Sequence, residues 1–331
     1  MIVGSGEFRY ELVEGWERLP TGWRHGDVTS VVTDAQDRVY VFNRSEHPVI
    51  VYDREGRFLG SWGEGGFTGR AHGISITREQ LLHCTDDEDH TVRVFTTDGK
   101  LLQTLGTAGN ASDTGYAGEA HPASLATIRR GAGPFNRPTR VAQAPNGELY
   151  IADGYGNARI HRFTASGKLL QSWGEPGDQP GQFNLPHSVW VHTDGRVFVC
   201  DRENDRVQIF SSTGELLGAW TDLARPADLV IDAQNHVYVG ELALKAGEQT
   251  MAGRTMTRTC PSQVSIRDLT GQLLTRWGAP DPFAPDGFAS AHGIWVDSRG
   301  DVYVSEVAQT ALSRTGRYRP EYPSLKKFAR L

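Results

Sequence analysis

One phrase recurs along this chain: EGRFLGSWG at 55–63, DGKLLQTLG at 98–106, SGKLLQSWG at 166–174, TGELLGAW at 213–220 and TGQLLTRWG at 270–278. Self-similarity of this kind confines a chain to repeat architectures. Each phrase opens on a glycine suited to the positive φ of a hairpin turn. Each follows a short alternating run (VIVYD, VRVFT, RIHRF, VQIFS, VSIRD). Upstream lie a second such run, as in DRVYVF or GRVFVCD, and before it a more apolar one, as in TSVVTD or HGIWVD. One unit therefore reads as four short antiparallel strands. The 38 glycines among 331 residues exceed the usual level of roughly 7%, which suits a chain of many tight turns.

The apolar first strands fall near 29–33, 71–76, 138–143, 186–191, 226–231 and 291–296, which makes six units. Spread over 331 residues, each unit takes about 55, more than the roughly 40–50 of common propeller repeats. The surplus sits in insertions at 107–134, 243–262 and 307–323, expected to decorate one face. The expected fold is all-β, a six-bladed β-propeller, with residues 1–331 as a single domain. The sixth unit ends at SLKKFARL without its closing phrase, and Tyr10-Glu-Leu-Val-Glu-Gly-Trp16 looks like the missing piece. A strand at about 8–17 is expected to pair into the C-terminal blade and close the ring, which removes open sheet edges. An open sandwich of similar strands would leave that complementarity unexplained.

Composition narrows the function classes. A mixture of 38% hydrophobic and 22% charged residues excludes wholesale disorder. With 34 Lys+Arg against 40 Asp+Glu, the net charge of -6 and the lack of a basic stripe disfavour nucleic acid as a partner. Cys84, Cys200 and Cys260 are odd in number and far apart, so they form neither a disulfide framework nor a zinc knuckle. No apolar run approaches the roughly 18 residues of a membrane span. The opening MIVGSGEFRYELVEGW lacks the basic-then-apolar order of a signal peptide. A soluble, cytoplasmic protein is expected, with no membrane partner and its oligomeric state open.

The repeat makes positions comparable, and comparison brings out chemistry. At the start of the first strand, the second, fourth and sixth units carry His72, His187 and His292; the first, third and fifth carry Thr29, Thr139 and Ala227. Alternate blades of a six-fold ring lie about 120° apart, so three imidazoles can converge on the axis. Three neutral imidazoles with an open fourth position form a catalytic metal site, with Zn²⁺ the first candidate; such a set also accepts Fe, Mn, Ni or Cu. His47, His83, His90, His161, His192 and His236 fall in outer strands or turns, where solvated or hydrogen-bonded roles are expected. His25 and His121 fall in loops able to approach a mouth of the channel.

On these residues the sequence resembles the NHL-repeat propellers and, within them, peptidyl-α-hydroxyglycine α-amidating lyase. The three histidines match that family's zinc ligands in order and in alternate-blade placement. Leu149-Tyr-Ile-Ala-Asp-Gly-Tyr-Gly-Asn-Ala-Arg-Ile160 is similar to a family stretch whose tyrosine is catalytic, here Tyr155. Cys200-Asp-Arg-Glu-Asn-Asp-Arg-Val207 is similar to a run that contains a substrate-binding arginine, here Arg202. Val41-Phe-Asn-Arg44 matches the place of the other active-site arginine. Asn157, Arg159, Asn204 and Arg206 read as scaffold of the same turns.

The resemblance implies a metal-dependent lyase. It would cleave the C–N bond of an N-acyl-α-hydroxyglycine-like carbinolamide to an amide and glyoxylate, with Arg44 and Arg202 holding the carboxylate of a small substrate. It also implies a structural Ca²⁺ held partly through an aspartate after the third histidine; this chain departs there, with Gly293. Disulfides and a partner monooxygenase domain, found in some members, have no counterpart in this sequence. The same three histidines would equally serve a metal-dependent hydrolase of ester, lactone or amide-like bonds. A third reading is a non-enzymatic NHL binding module.

Overall fold

The computed structural model describes residues 1–118 and 123–331; His121 lies outside them. Six antiparallel sheets stand in a ring, each innermost strand lining a central channel. The innermost strands are Val28–Thr33, Ala71–Ile76, Pro138–Gln143, Pro186–Val191, Pro226–Ile231 and Ala291–Val296. This is the six-bladed β-propeller expected from the repeat. Among the described residues helix is confined to short pieces such as Ala308–Ser313, inside one of the insertions.

The ring closes as the terminal complementarity implied. Phe8–Val13 pairs antiparallel with Leu325–Arg330, Tyr10 opposite Arg330 and Val13 opposite Lys327. The strand is shorter than the expected 8–17, and Trp16 instead packs beside Tyr52 and Tyr303 of the first and sixth blades. One element was not foreseen: Ile2–Ser5 pairs outside Phe8–Val13, so the closing blade has five strands.

The core lies between blades, where apolar faces of neighbouring sheets meet. Val32, Tyr40, Phe42 and Val49 of the first blade, for example, meet Ala71, Ile74, Leu82 and Cys84 of the second. The recurrent phrase explains how adjacent blades register. The tryptophan that ends one blade lies over the hairpin glycine of the next: Trp62 on Gly99, Trp173 on Gly214, Trp220 on Gly271. A Cβ on Gly271 would stand 2.4 Å from the Trp220 ring, and its φ of 92° is one that side-chain-bearing residues avoid. The leucines of the same phrase divide: Leu59, Leu101, Leu169, Leu217 and Leu273 are exposed on the outer rim, while Leu105, Leu216 and Leu274 pack on the core.

In the second to sixth blades the second strand ends in a buried acid that ties down the loop entering its own blade, whereas Asn43 of the first blade donates to His47 and Pro48 in the loop that follows it. Asp86 accepts from the Thr68 amide, Asp153 from Asn136, Asp201 from Asn184 and Glu241 from Ala224. These tethers fix the residues that follow them, and those residues form one mouth of the channel.

Candidate metal centre and active site

In every blade the pairing of the first two strands slips at the same place, between Val28 and Ser30, Ala71 and Ile74, Pro138 and Arg140, Pro186 and Ser188, Pro226 and Asp228, and Ala291 and Gly293. A bulge of this kind re-aims a side chain. It turns Thr29, His72, Thr139, His187, Ala227 and His292 to the channel, where they line one small void.

His72, His187 and His292 converge there. Their ring centroids are 4.7–4.9 Å apart, and one ring nitrogen from each lies within 4.8 Å of the others. The geometry follows from the neighbouring odd blades. His72 Nδ1 lies 2.9 Å from the Thr139 carbonyl oxygen, His187 Nδ1 2.6 Å from that of Ala227, and His292 Nδ1 2.7 Å from that of Thr29. A carbonyl only accepts, so each Nδ1 carries the proton and donates it. Each Nε2 then presents a bare lone pair.

Burial works in the same direction. It lowers the His72 pKa to about 3 and those of His187 and His292 well below the usual imidazole value, with the neighbouring arginines adding to the effect. All three rings are therefore neutral near pH 7. The His72 Nε2 is buried without any hydrogen-bond partner. A buried polar atom without a partner is costly. Three inward lone pairs, one of them orphaned, fit a metal ion that takes nitrogen ligands.

Tyr155 stands over this centre from the turn after Leu149–Asp153. Its hydroxyl lies 3.3 Å from His187 Nε2 and accepts a hydrogen bond from Arg202 Nη1 at 3.1 Å. Arg202 is buried, and burial works against its charge; Tyr155 and Glu203 nevertheless hold its pKa above the usual value. Its Nε donates to Glu203 at 2.8 Å and its remaining nitrogen to the Met251 sulfur at 3.1 Å. Arg44 enters from the corresponding turn of the first blade. It donates to the Ala71 carbonyl at 3.2 Å and pairs with Asp27 at 3.5 Å. The structure thus joins Tyr155 to Arg202 and to the histidines directly, while Arg44 stands against the strand that carries His72.

Two arginines escaped the sequence reading. Arg70 and Arg137 lie 5.6 and 5.9 Å from the Tyr155 ring centroid, and buried Asp87 bridges them at 3.0 and 2.7 Å. Asp87 follows its second strand at the place where Arg44 and Arg202 follow theirs. Comparing that column across repeats would have found it.

A cavity of about 520 Å³ opens above the centre, lined by Arg44, Arg70, Tyr155, Arg202 and His292 together with parts of the three insertions. Of the aromatics in those insertions, Tyr116 packs near Tyr155, whereas Tyr322 donates to Glu306 at 2.9 Å and serves the scaffold. His25 is bound to the Tyr52 hydroxyl at 2.9 Å, away from the histidine cluster. The scaffold reading of Asn157, Asn204 and Arg206 agrees with their bonds to Asp153 and Asp201 at 2.7–2.8 Å.

The NHL repeat pattern matches residues 135–163 and 183–210. Human NHL repeat-containing protein 3 is 32% identical over 225 residues, 64% of this chain and 60% of that protein. A probable peptidyl-alpha-hydroxyglycine alpha-amidating lyase of Caenorhabditis elegans is 30% identical over 205 residues, 58% of this chain and 53% of that protein. The chain resembles the NHL-repeat amidating lyases. This NHL-repeat chain spans no more than about three fifths of the length of either relative. In fold it also matches virginiamycin B lyase from Staphylococcus aureus, with a TM-score of 0.57 at 14% identity, over 90% of this chain and 82% of that one.

The aspartate through which the resemblance implied a structural calcium has no counterpart here: Gly293 stands in its place, and a Cβ there would lie 2.4 Å from Ser305 Oγ and 3.0 Å from the Thr29 carbonyl oxygen. Among the described residues no helix is long and apolar enough to cross a membrane.

Proposed function

We propose that this NHL-repeat chain is a metal-dependent lyase acting on a small, carboxylate-bearing carbinolamide. The simplest substrate is an N-acyl-α-hydroxyglycine, cleaved to a primary amide and glyoxylate. The observation that carries the reading is the conjunction at the hub: three Nε2 lone pairs facing inward, with the Tyr155 hydroxyl 3.3 Å from one of them and Arg202 3.1 Å from that hydroxyl. The amidating-lyase relatives, at about 30% identity, support it.

His72, His187 and His292 would hold the ion, Zn²⁺ first among candidates. When bound it supplies Lewis-acid polarisation of a substrate oxygen. The protein's own groups do the rest. Acting as its phenolate, Tyr155 would take the proton from the substrate hydroxyl and pass it to the leaving nitrogen, while Arg202 stabilises the charge as it redistributes. The C–O bond becomes the carbonyl of the aldehyde, the C–N electron pair leaves with the amide nitrogen, and that nitrogen receives the proton. No water is consumed. Arg44 and Arg202 face the cavity from the corresponding turns of the first and fourth blades, across the ring from each other, and would clamp the carboxylate between them. The Arg202 nitrogen that now rests on the Met251 sulfur, a weak acceptor, is the one a carboxylate would engage. The three cysteines are free and buried, which suits a reducing, cytoplasmic setting.

The test is turnover of N-acyl-α-hydroxyglycines in H₂¹⁸O with an aldehyde trap. The expected products are trapped glyoxylate and an intact primary amide. Labelled oxygen in a new carboxylic acid would show hydrolysis instead, and undiminished turnover by metal-stripped protein would end the metal-dependent reading.

A further inference from the structure

The bulge that aims each hub residue at the axis also leaves its successor facing the same channel. The successors form a second tier: Ser30, Gly73, Arg140, Ser188, Asp228 and Gly293. Within this tier the one cation and the one carboxylate come from odd blades and meet. Arg140, in the third blade, is 4% exposed; it donates to Ser30 Oγ of the first blade and reaches the Asp228 carboxylate of the fifth at 3.3 Å. Asp228, 3% exposed, also accepts from Ser188 Oγ at 2.6 Å, from the Leu229 amide at 3.1 Å and from the Ile294 amide at 3.1 Å. Between this pair and the histidine tier only a void of about 10 Å³ remains, at the lower limit for one water.

We propose that the Arg140 guanidinium is the structural cation of this hub, standing where the resembled family would hold calcium, and that the channel binds no calcium. Three observations converge. The tier joins five blades through Asp228 and Arg140, so a cation there ties the ring across its axis. Its single carboxylate already serves Arg140, and a divalent ion beside a buried guanidinium would meet uncompensated repulsion. The position after the third histidine is Gly293, closely packed against Ser305 and the Thr29 carbonyl, and it offers no side-chain ligand to a cation. A buried carboxylate without a counter-charge is strongly destabilising, so Asp228 requires either this guanidinium or some other cation. The same pair stops the channel beneath His72, His187 and His292, which leaves the mouth with the three insertions as the route to them. The opposite mouth, a hollow of about 280 Å³ walled by Ile76, Trp190 and Trp295, reaches Arg140 but none of the three histidines.

The experiment compares thermal unfolding and metal content of the full chain, its histidine site loaded with zinc, in calcium-free buffer and with millimolar CaCl₂. Wild-type protein is expected to carry no calcium by elemental mass spectrometry and to unfold at the same temperature in both buffers. Arg140→Ala should unfold on the order of 5–10 °C lower. It should regain part of that loss with CaCl₂ or with tens of millimolar guanidinium, either of which can enter the space beside Asp228. Arg140→Lys keeps the charge and should fold and stay indifferent to calcium, which preserves the test if Arg140→Ala is insoluble. One calcium per wild-type chain overturns the proposal, as does a wild-type or Arg140→Lys unfolding temperature that climbs several degrees with CaCl₂. An Arg140→Ala protein as stable as wild type overturns it too.

Discussion

Tyr155 and Arg202 are bound to one another, so their separate contributions are read by removing one atom set at a time. Tyr155→Phe keeps the ring against His72 and His187 and deletes only the hydroxyl. We expect kcat to fall by about 10²–10⁴, the usual worth of a placed proton-transfer group, with metal content unchanged. His187→Ala should behave differently: bound metal and turnover vanish together while the far-ultraviolet circular dichroism stays that of a sheet protein, checked by elemental analysis alongside the assay. The support under Arg202 has its own signature. Burial works against the charge of Glu203, but Arg225 at 2.7 Å and Arg202 at 2.8 Å hold its carboxyl down at about 2. A depressed folded pKa gives stability that is fully present above the unfolded value of roughly 4.3 and is lost as pH falls toward 2. Urea unfolding from pH 6 to pH 3 should therefore show wild type losing stability on acidification. Glu203→Gln should start lower at pH 6, by on the order of 2 kcal/mol, and lose less over the same interval.

At the scale of the element, the hairpin and the bulge divide the labour. The hairpin was legible in sequence, because its glycine, its leucines and its tryptophan recur together; what could not be read there was which of them mattered for packing. Of the leucines, most conspicuous in the phrase, at least one in each of the five copies lies on the rim, while the glycine is the seat on which the preceding blade's tryptophan rests. Gly271→Ala should thus cost about 1–3 kcal/mol in urea unfolding, from the clash with Trp220 and from the positive φ together. Gly60→Ala, whose added Cβ meets nothing within 4 Å, should stay within about 0.5 kcal/mol. Equal effects at the two sites would refute the seat. The bulge was not legible at all. Strict alternation assigns consecutive residues to opposite faces, so a reading by period could place His72, His187 and His292 in the channel but not their successors. The Arg140–Asp228 pair was invisible for that reason. Asp87 stands in a column that the repeat does expose, but its bridge between Arg70 and Arg137 was hidden by distance, the partners lying 17 and 50 residues away in sequence.

For the whole molecule, closure decides whether six blades are one body. The ring was legible because its two ends carried halves of one blade, although the outermost strand, Ile2–Ser5, left no mark in the repeat, having no counterpart in the other five sheets. The seam is well anchored. Val3, Phe8 and Tyr10 are buried in one cluster with Val264, Ile266 and Trp277 of the fifth blade and Ile294 and Phe328 of the sixth. Tyr10 is fully buried, its hydroxyl 3.3 Å from that of Tyr238. Removing residues 1–13 would strip these contacts and expose Leu325–Arg330 as an unpaired edge, the kind of template to which other chains add. The truncated chain should therefore associate in light scattering and unfold well below the full chain. A synthetic peptide of residues 1–16, supplied in excess, should restore both the monomer signal and most of the unfolding temperature, because it can add back as a strand along the same edge. A peptide with Tyr10→Ala should rescue far less, since a buried aromatic truncation costs about 3–5 kcal/mol. Should the truncated chain stay unassociated and melt with the full one, the seam would be dispensable, and the stability of the ring would have to reside in the six innermost strands and the charges they enclose.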